Sequence, residues 1–183
     1  MIERCRFQRN MVEKYMSKDK GVVNLACKED PAKLGRDFGA FNVDLIEHDV
    51  QTNTDLTKLP NFHKYDIREL PKEWNGKFSV AVLGDVIEHC THEAAADVLI
   101  SAADVAETIV VTLPFDNRTP EEQHSSENLF EIGDGCYSYH VHNWEEEFDE
   151  LVEFCNLYFL ERLEAKYPHC PGVFAVLRRK NWR

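Results

Sequence analysis

Phe78-Ser79-Val80-Ala81-Val82-Leu83-Gly84-Asp85-Val86-Ile87-Glu88-His89 is the stretch whose reading decides the fold. From Phe78 to Leu83 the residues are apolar or small, with no polar alternation. That pattern belongs to a strand covered on both faces, as in a parallel sheet. Gly84 ends the run, and Asp85 follows at the carboxyl end, where open parallel sheets hold their ligands. Such a strand needs parallel neighbours.

The chain supplies them on both sides. Upstream, Val22 to Cys27 reads as a first buried strand, Phe41 to Ile46 as a second, and Asn61 to Ile67 as a weaker third. Downstream, Thr108 to Phe115 reads as a fifth, β-branched and stopped by Pro114. Two final strands, Leu157 to Leu163 and Val173 to Leu177, flank a loop with Pro168, Pro171 and Gly172. Their short connection suits an antiparallel pair at one edge.

Helical patterns lie between the strands. Within residues 1–20, Phe7, Met11, Val12 and Tyr15 recur at helical spacing. Thr91 can cap a helix with Ala95, Val98, Leu99 and Ala102 on one face. Asn143 and Glu146 form a capping-box pattern before the stripe Trp144, Phe148, Leu151, Val152 and Cys155. Residues Glu47 to Leu59, where a crossover helix belongs, are polar and predict a short or irregular segment. The expected fold is α/β: a Rossmann-like, doubly wound, mainly parallel seven-stranded sheet with an antiparallel edge pair and helices on both faces. One domain, 1–183, contains it.

Composition narrows the function. The 183 residues carry 21 Lys and Arg against 33 Asp and Glu, a net charge of −12. An acidic surface repels phosphate backbones and anionic lipid, so duplex nucleic acid and membrane are poor partners. Arg178-Arg179-Lys180 reads as a solvated basic tail. Cysteines stand at 5, 27, 90, 136, 155 and 170 without a CxxC pair, which suits reduced thiols in the cytoplasm. No apolar signal core and no run of membrane-spanning length is present. No feature names a protein partner or an oligomeric state.

The strand ends carry the chemistry. After the first strand comes Asn24-Leu25-Ala26-Cys27-Lys28-Glu29-Asp30-Pro31, in which Asp30 and Pro31 read as the cap and first residue of a helix. Free backbone N–H groups would then point into the turn. Asp44 ends the second strand, Asp66 the third, and Gly84-Asp85 the fourth.

This order, from about Val22 to the C-terminus, resembles the class I S-adenosylmethionine-dependent methyltransferases. The likeness is carried by the strand ending in Asp85-Val86-Ile87-Glu88-His89, by Asn42-Val43-Asp44, and by His140-Val141-His142-Asn143-Trp144 before an acidic amphipathic helix. The resemblance implies S-adenosylmethionine as cofactor. It assigns the ribose hydroxyls to Asp44 with its neighbour Leu45, and the adenine to Asp66 with Ile67. The methionine portion falls to the turn Asn24, Ala26, Cys27 and Lys28, and its ammonium to a carbonyl near Gly84. Catalysis would rest on alignment and on removal of the acceptor's proton, with Asp85 and His89 as the candidates.

One departure stands out. The family carries an acid and then alternating glycines after the first strand, whereas this chain has Asn24, then Ala26, Lys28 and Asp30. Glycine serves there because it accepts positive φ and close approach. Lys28 is the severe change, expected to crowd the cofactor or bend the turn.

Other residues have competing readings. Asp66 with Arg68 also fits an ordinary surface pair. Asp85, Glu88, His89 and His92 bring acids and imidazoles together, but no cysteine pair completes a cage. Glu88 and His89 are expected to hold loop and helix together, with no metal. Residues 116–142 make a long connection, expected as a lid with Tyr137 and His140 facing substrate. The alternative is a surface excursion with a short helix from Thr119-Pro120.

Methyl transfer to a small or medium acceptor is therefore the leading expectation. A catalytically inactive methyltransferase-like binding or regulatory protein is the alternative, motivated by Lys28. A dinucleotide-binding enzyme ranks last, because the glycine-rich first turn is missing.

Overall fold

The computed structural model describes residues 3–28, 30–49, 54–116, 118, 119, 122, 131–133, 135–167 and 170–180. Along the chain the elements are α1 (Glu3–Tyr15), β1 (Gly21–Leu25), α2 (Leu34–Phe38), β2 (Phe41–Asp44), β3 (His48–Asp49), β4 (Thr54–Asp55) and β5 (Phe62–Lys64). Then follow β6 (Phe78–Gly84), α3 (His92–Val105), β7 (Ala106–Pro114), β8 (Glu131–Gly133), β9 (Cys136–Tyr137), α4 (Phe148–Phe154), β10 (Leu157–Lys166) and β11 (Pro171–Arg179).

Seven of these strands form one sheet in the order β10-β11-β7-β6-β1-β2-β5. The five from β7 to β5 are parallel, and β11 runs against both β7 and β10. The expected seven-stranded Rossmann-like sheet and its antiparallel edge pair are both present.

Alternation along the strands divides the core between two faces. Val22, Val80, Val82, Val110 and Val176 point to one side, where Cys5, Phe7 and Val12 of α1 and Leu34 of α2 cover them. Val23, Ala81, Leu83, Ile109 and Leu177 point to the other, under α3, Trp144 and α4. Phe7 stacks on Phe174 of β11 at 5.0 Å. Burying side chains of this size stabilises by roughly 1.5–3 kcal/mol each, which is how a helix as polar as α1 is held to the sheet.

Thr91 caps α3 as expected, its side chain accepting from Ala94 N–H. Two helix starts and one helix end differ from the sequence reading. The Asn143 capping box does not form: Asn143 Oδ1 accepts from Glu145 N at 3.3 Å in a local turn, and α4 begins only at Phe148. Glu147 is drawn out of the helix by His92 (2.8 Å) and His142 (3.2 Å). Pro31 does not open α2, because Asp30 reaches past it to cap Leu34 and Gly35. The N-terminal helix ends at Tyr15 rather than running through residue 20.

The crossovers near β5 are spare. A β3–β4 hairpin and a 3₁₀ turn at Leu56–Lys58 lie between β2 and β5. Between β5 and β6 there is one 3₁₀ turn, Lys72–Trp74, among the described residues. Trp74 fills the place of a helix, meeting Phe41, His63, Tyr65 and Phe78 edge-on at 5.3–5.6 Å. The basic run at the end is no free tail: Arg178 and Arg179 belong to β11, and Arg179 pairs with Asp104 at 2.7 Å. No helix among the described residues is long and apolar enough to cross a membrane.

Of the 116–142 connection, residues 117, 120, 121, 123–130 and 134 lie outside the described residues, and with them Phe130, His124 and most of the helix expected from Thr119-Pro120. Thr119 and Glu122 do exchange hydrogen bonds, N–H to carboxylate at 2.8 Å and N–H to hydroxyl at 3.4 Å.

Candidate active site

The order of the sheet changes direction at β1, with β2 on one side and β6 on the other. Ligands of open α/β sheets bind at such a point, outside the carboxyl ends of the strands. Immediately after β1 the chain takes three left-handed steps: φ is 51° at Ala26, 42° at Lys28 and 49° at Asp30. These are the three positions at which the resemblance expects glycines. The bend survives without them, at a cost of roughly 1–2 kcal/mol for each such residue.

Hydrogen bonds hold it there. Cys27 N donates to Val43 O at 3.1 Å, Lys28 N to Asp44 Oδ2 at 3.2 Å, and Asp30 N to Cys27 O at 2.8 Å. The buried Asp30 carboxylate accepts Leu34 N at 2.7 Å and Gly35 N at 2.8 Å. Those N–H groups were expected to point free into the turn, and Asp30 has taken them. Close approach has moved to Gly35, where a Cβ would lie 2.2 Å from Asn42 Nδ2. Asn24, at the acid position, is buried and donates to Asn42 Oδ1 at 2.9 Å. Lys28 keeps its side chain exposed, so it does not fill the bend.

Two adjoining cavities open from this turn. The first is lined by Ala26, Lys28, Asp44, Leu45, Asp66, Ile67, Val86 and His89, with Cys136 and Tyr137 arriving from β9. Asp44 and Asp66, at the ends of neighbouring strands, thus face one space. Asp44 is 7% exposed and accepts from Lys28 N and Ile46 N (3.3 Å). Burial raises its pKa, and those backbone bonds oppose the rise. Part of its acceptor capacity remains for a ligand.

Asp66 is more committed. Arg68 Nε reaches both carboxylate oxygens at 3.0 and 3.1 Å, and Arg68 Nη2 one of them at 2.5 Å. The pair is local, as its alternative reading had it, and Arg68 holds the carboxyl below its ordinary pKa. Tyr137, expected on the acceptor side, lines this first cavity instead, because β9 lies over it. Cys136 Sγ on the same strand stands 3.5 Å from Cys90 Sγ.

The second cavity shares Ala26, Lys28, Asp85, His89 and Ser138 with the first. Asn24, Cys27 and Gly84 also line it, as do Arg4, Glu88, Asp116, His140 and Tyr167. Burial pushes the Cys27 thiol far up, so it is inert packing. Gly84 is tight against α1: a Cβ there would lie 2.4 Å from Gln8 Nε2.

Asp85 stands at the junction in a left-handed conformation, φ 56°. Its Oδ1 accepts from Thr112 Oγ1 at 3.0 Å and from Tyr167 Oη at 3.1 Å, while Oδ2 pairs with Arg4. Gln8 in turn donates to Thr112 Oγ1 at 3.0 Å. Asp85 is thereby a fixed anchor rather than a free base. His89 packs edge-on against His140, ring centres 4.9 Å apart.

The sequence matches no protein-family model and no curated protein. Solved structures do match. A Burkholderia thailandensis 1,6-didemethyltoxoflavin-N1-methyltransferase with bound S-adenosylhomocysteine superposes with a TM-score of 0.67 at 14% identity, covering 98% of this chain and 79% of that one. An S-adenosylmethionine-dependent methyltransferase from Clostridium acetobutylicum gives 0.65 at 10% identity, over 97% and 91%. Magnesium protoporphyrin IX methyltransferase from Synechocystis with bound S-adenosylhomocysteine gives 0.62 at 13%, over 95% and 80%. The chain has the class I methyltransferase fold; at such identities the likeness speaks for the fold.

Several site residues escaped the sequence reading. Arg4 and Gln8 come from α1, whose spacing announced only an apolar stripe. Tyr167 arrives from the turn between β10 and β11, far from Asp85 in the chain. Gln8 left one signal, a polar side chain between Phe7 and Val12 on the buried face.

Proposed function

We propose that the chain is an S-adenosylmethionine-dependent methyltransferase acting on a small or medium acceptor, in a reducing cytoplasm. One observation carries the reading: Asp44 and Asp66 line the same cavity as a left-handed turn at Ala26 and Lys28. A pair of vicinal hydroxyls matches the remaining acceptor sites of a buried carboxylate such as Asp44. Ile67 and Val86 offer apolar surface for a flat base beside it.

When bound, the cofactor supplies a methyl group already activated on a sulfonium. The protein's task is then alignment, and acceptance of the acceptor's proton where one must leave. Asp85, tied to Arg4, Thr112 and Tyr167, keeps the junction in shape. Glu88, His89 and His140 are the groups left facing an acceptor in the second cavity.

A ligand that binds only the folded chain stabilises it by mass action, by about 2.7 kcal/mol at a hundred times its Kd. S-adenosylhomocysteine at that excess is expected to raise the melting temperature by roughly 5–10 °C. No shift at millimolar ligand would reject the reading.

The second reading, a binding protein without catalysis, draws on Lys28 and on the occupation of Asp66 by Arg68. Lys28→Gly separates the two. Relief of the left-handed strain is expected to stabilise the fold by about 0.5–1 kcal/mol in urea denaturation, after the added freedom of glycine in the unfolded chain. Because the bend already exists, cofactor affinity should change by less than about threefold, no more than one ordinary hydrogen bond. A large gain in affinity would favour the second reading.

A further inference from the structure

Glu88 is fully buried, and neither oxygen of its carboxylate has a hydrogen-bond partner among the described residues. That is unusual, because an unsatisfied carboxylate in a protein interior costs several kcal/mol. The residue is not stranded in an apolar core. It faces the second cavity with His89 and His140, and one ligand atom from each of the three lies within 4.8 Å of the others.

His140 is already aimed. Its Nδ1 lies 3.2 Å from Asp116 Oδ2, while Nε2 turns toward Glu88 Oε1 at 4.0 Å. The contact is an ion-pair distance rather than an aligned hydrogen bond, and a small turn of the ring would let Asp116 orient His140 with Nε2 toward the cavity. Asp116 is held for that task by Arg118, whose Nη2 reaches Oδ2 at 2.6 Å and whose Nε reaches Oδ1 at 3.0 Å. Arg118 keeps the Asp116 carboxyl ionised, down at about 2. The backbone clamps the two halves together, Val141 N donating to Glu88 O at 2.9 Å.

We propose that Glu88, His89 and His140 form the binding site of one divalent transition-metal ion, with Asp116 as the positioning residue for His140. Two imidazoles and one carboxylate are a donor set suited to zinc, manganese, cobalt or iron(II), and they leave coordination positions open. Ligands on one such ion sit about 3–3.5 Å apart, given bonds of about 2.1 Å. Binding therefore draws the three side chains inward by about an ångström. His92, grouped with Glu88 and His89 in a sequence reading that expects no metal there, is elsewhere. It forms a partly exposed cluster with His142 and Glu147, both imidazoles meeting the Glu147 carboxylate at 2.8 and 3.2 Å.

The metal site stands without the methyl-transfer reading. One consequence needs both: the open positions face the second cavity, where an acceptor hydroxyl would be held against the ion.

The test uses the full chain, stripped of metal, titrated calorimetrically with Mn²⁺ and Zn²⁺ in the absence of cofactor. One ion per chain is expected. Glu88→Gln and His140→Gln should each weaken binding at least 100-fold, and Asp116→Asn by 10- to 100-fold. His142→Gln should leave it unchanged. Co²⁺ loading should give a visible spectrum without sulfur charge-transfer bands, separating this site from the cysteines. Should Glu88→Gln fail to fold, anomalous scattering from a Mn²⁺-soaked crystal of the unaltered protein decides: a peak among Glu88, His89 and His140 supports the site. Equal affinity in wild type and variants, no binding at millimolar metal, or a peak elsewhere overturns it.

Discussion

Asp44→Ala is expected to lower the affinity for S-adenosylhomocysteine by about 100-fold or more, measured by calorimetry. The estimate takes two hydrogen bonds to a charged acceptor at roughly 1.5 kcal/mol or more each. A second effect adds to it. Asp44 also receives Lys28 N and Ile46 N, so its loss frees the backbone on both walls of the cavity. The left-handed bend at Lys28 has no glycine to make it inexpensive and depends on such contacts. Asp44→Asn keeps the shape and one acceptor oxygen, and should cost about tenfold, near 1.4 kcal/mol. Equal affinity in wild type and Asp44→Ala would remove Asp44 from the site.

Trp144→Ala is expected to destabilise the fold by about 3–5 kcal/mol in urea denaturation. Its side chain is fully buried beneath α3, packed on His92 at 4.6 Å and His142 at 4.4 Å. Its Nε1 donates to Ile87 O at 3.0 Å, at the 3₁₀ turn Ile87–His89 that carries Glu88 and His89. The tryptophan therefore ties the segment bearing His140 to the segment bearing its two partners. Trp144→Phe retains most of the packing and removes one of two bonds to the Ile87 carbonyl, which keeps Cys90 N at 3.0 Å, a loss of about 0.5–1.5 kcal/mol. A cost below 1 kcal/mol for Trp144→Ala would show that the anchor lies elsewhere.

The sheet was legible because buried parallel strands advertise themselves. Val80, Ala81, Val82 and Leu83 pack against both layers, so no polar residue interrupts the run. The strand-end acids were legible for the same reason, since a strand fixes where its last residue lies. Helix starts were less so. Asn143 and Asp30 both carry capping side chains, and each found a local or longer reach that short-range spacing does not encode. The glycine motif misled in a specific way. The glycines that the resemblance expects are absent, yet the chain is left-handed at Ala26, Lys28 and Asp30, held by Asp44 and by the Asp30 cap. Side chains that meet only through the sheet, such as Arg4 and Tyr167 on Asp85, have no sequence signature at all. The grouping of His140 with Glu88 and His89 is of the same kind: half a hundred residues of chain separate groups that Trp144 and Val141 bring face to face.

A crystal of the chain grown with S-adenosylhomocysteine tests the central claim most directly. The account predicts density in the first cavity, with the ribose hydroxyls on Asp44 and the base between Ile67 and Val86. Nucleoside density away from Asp44, or a first cavity without ligand at saturating concentration, would contradict it.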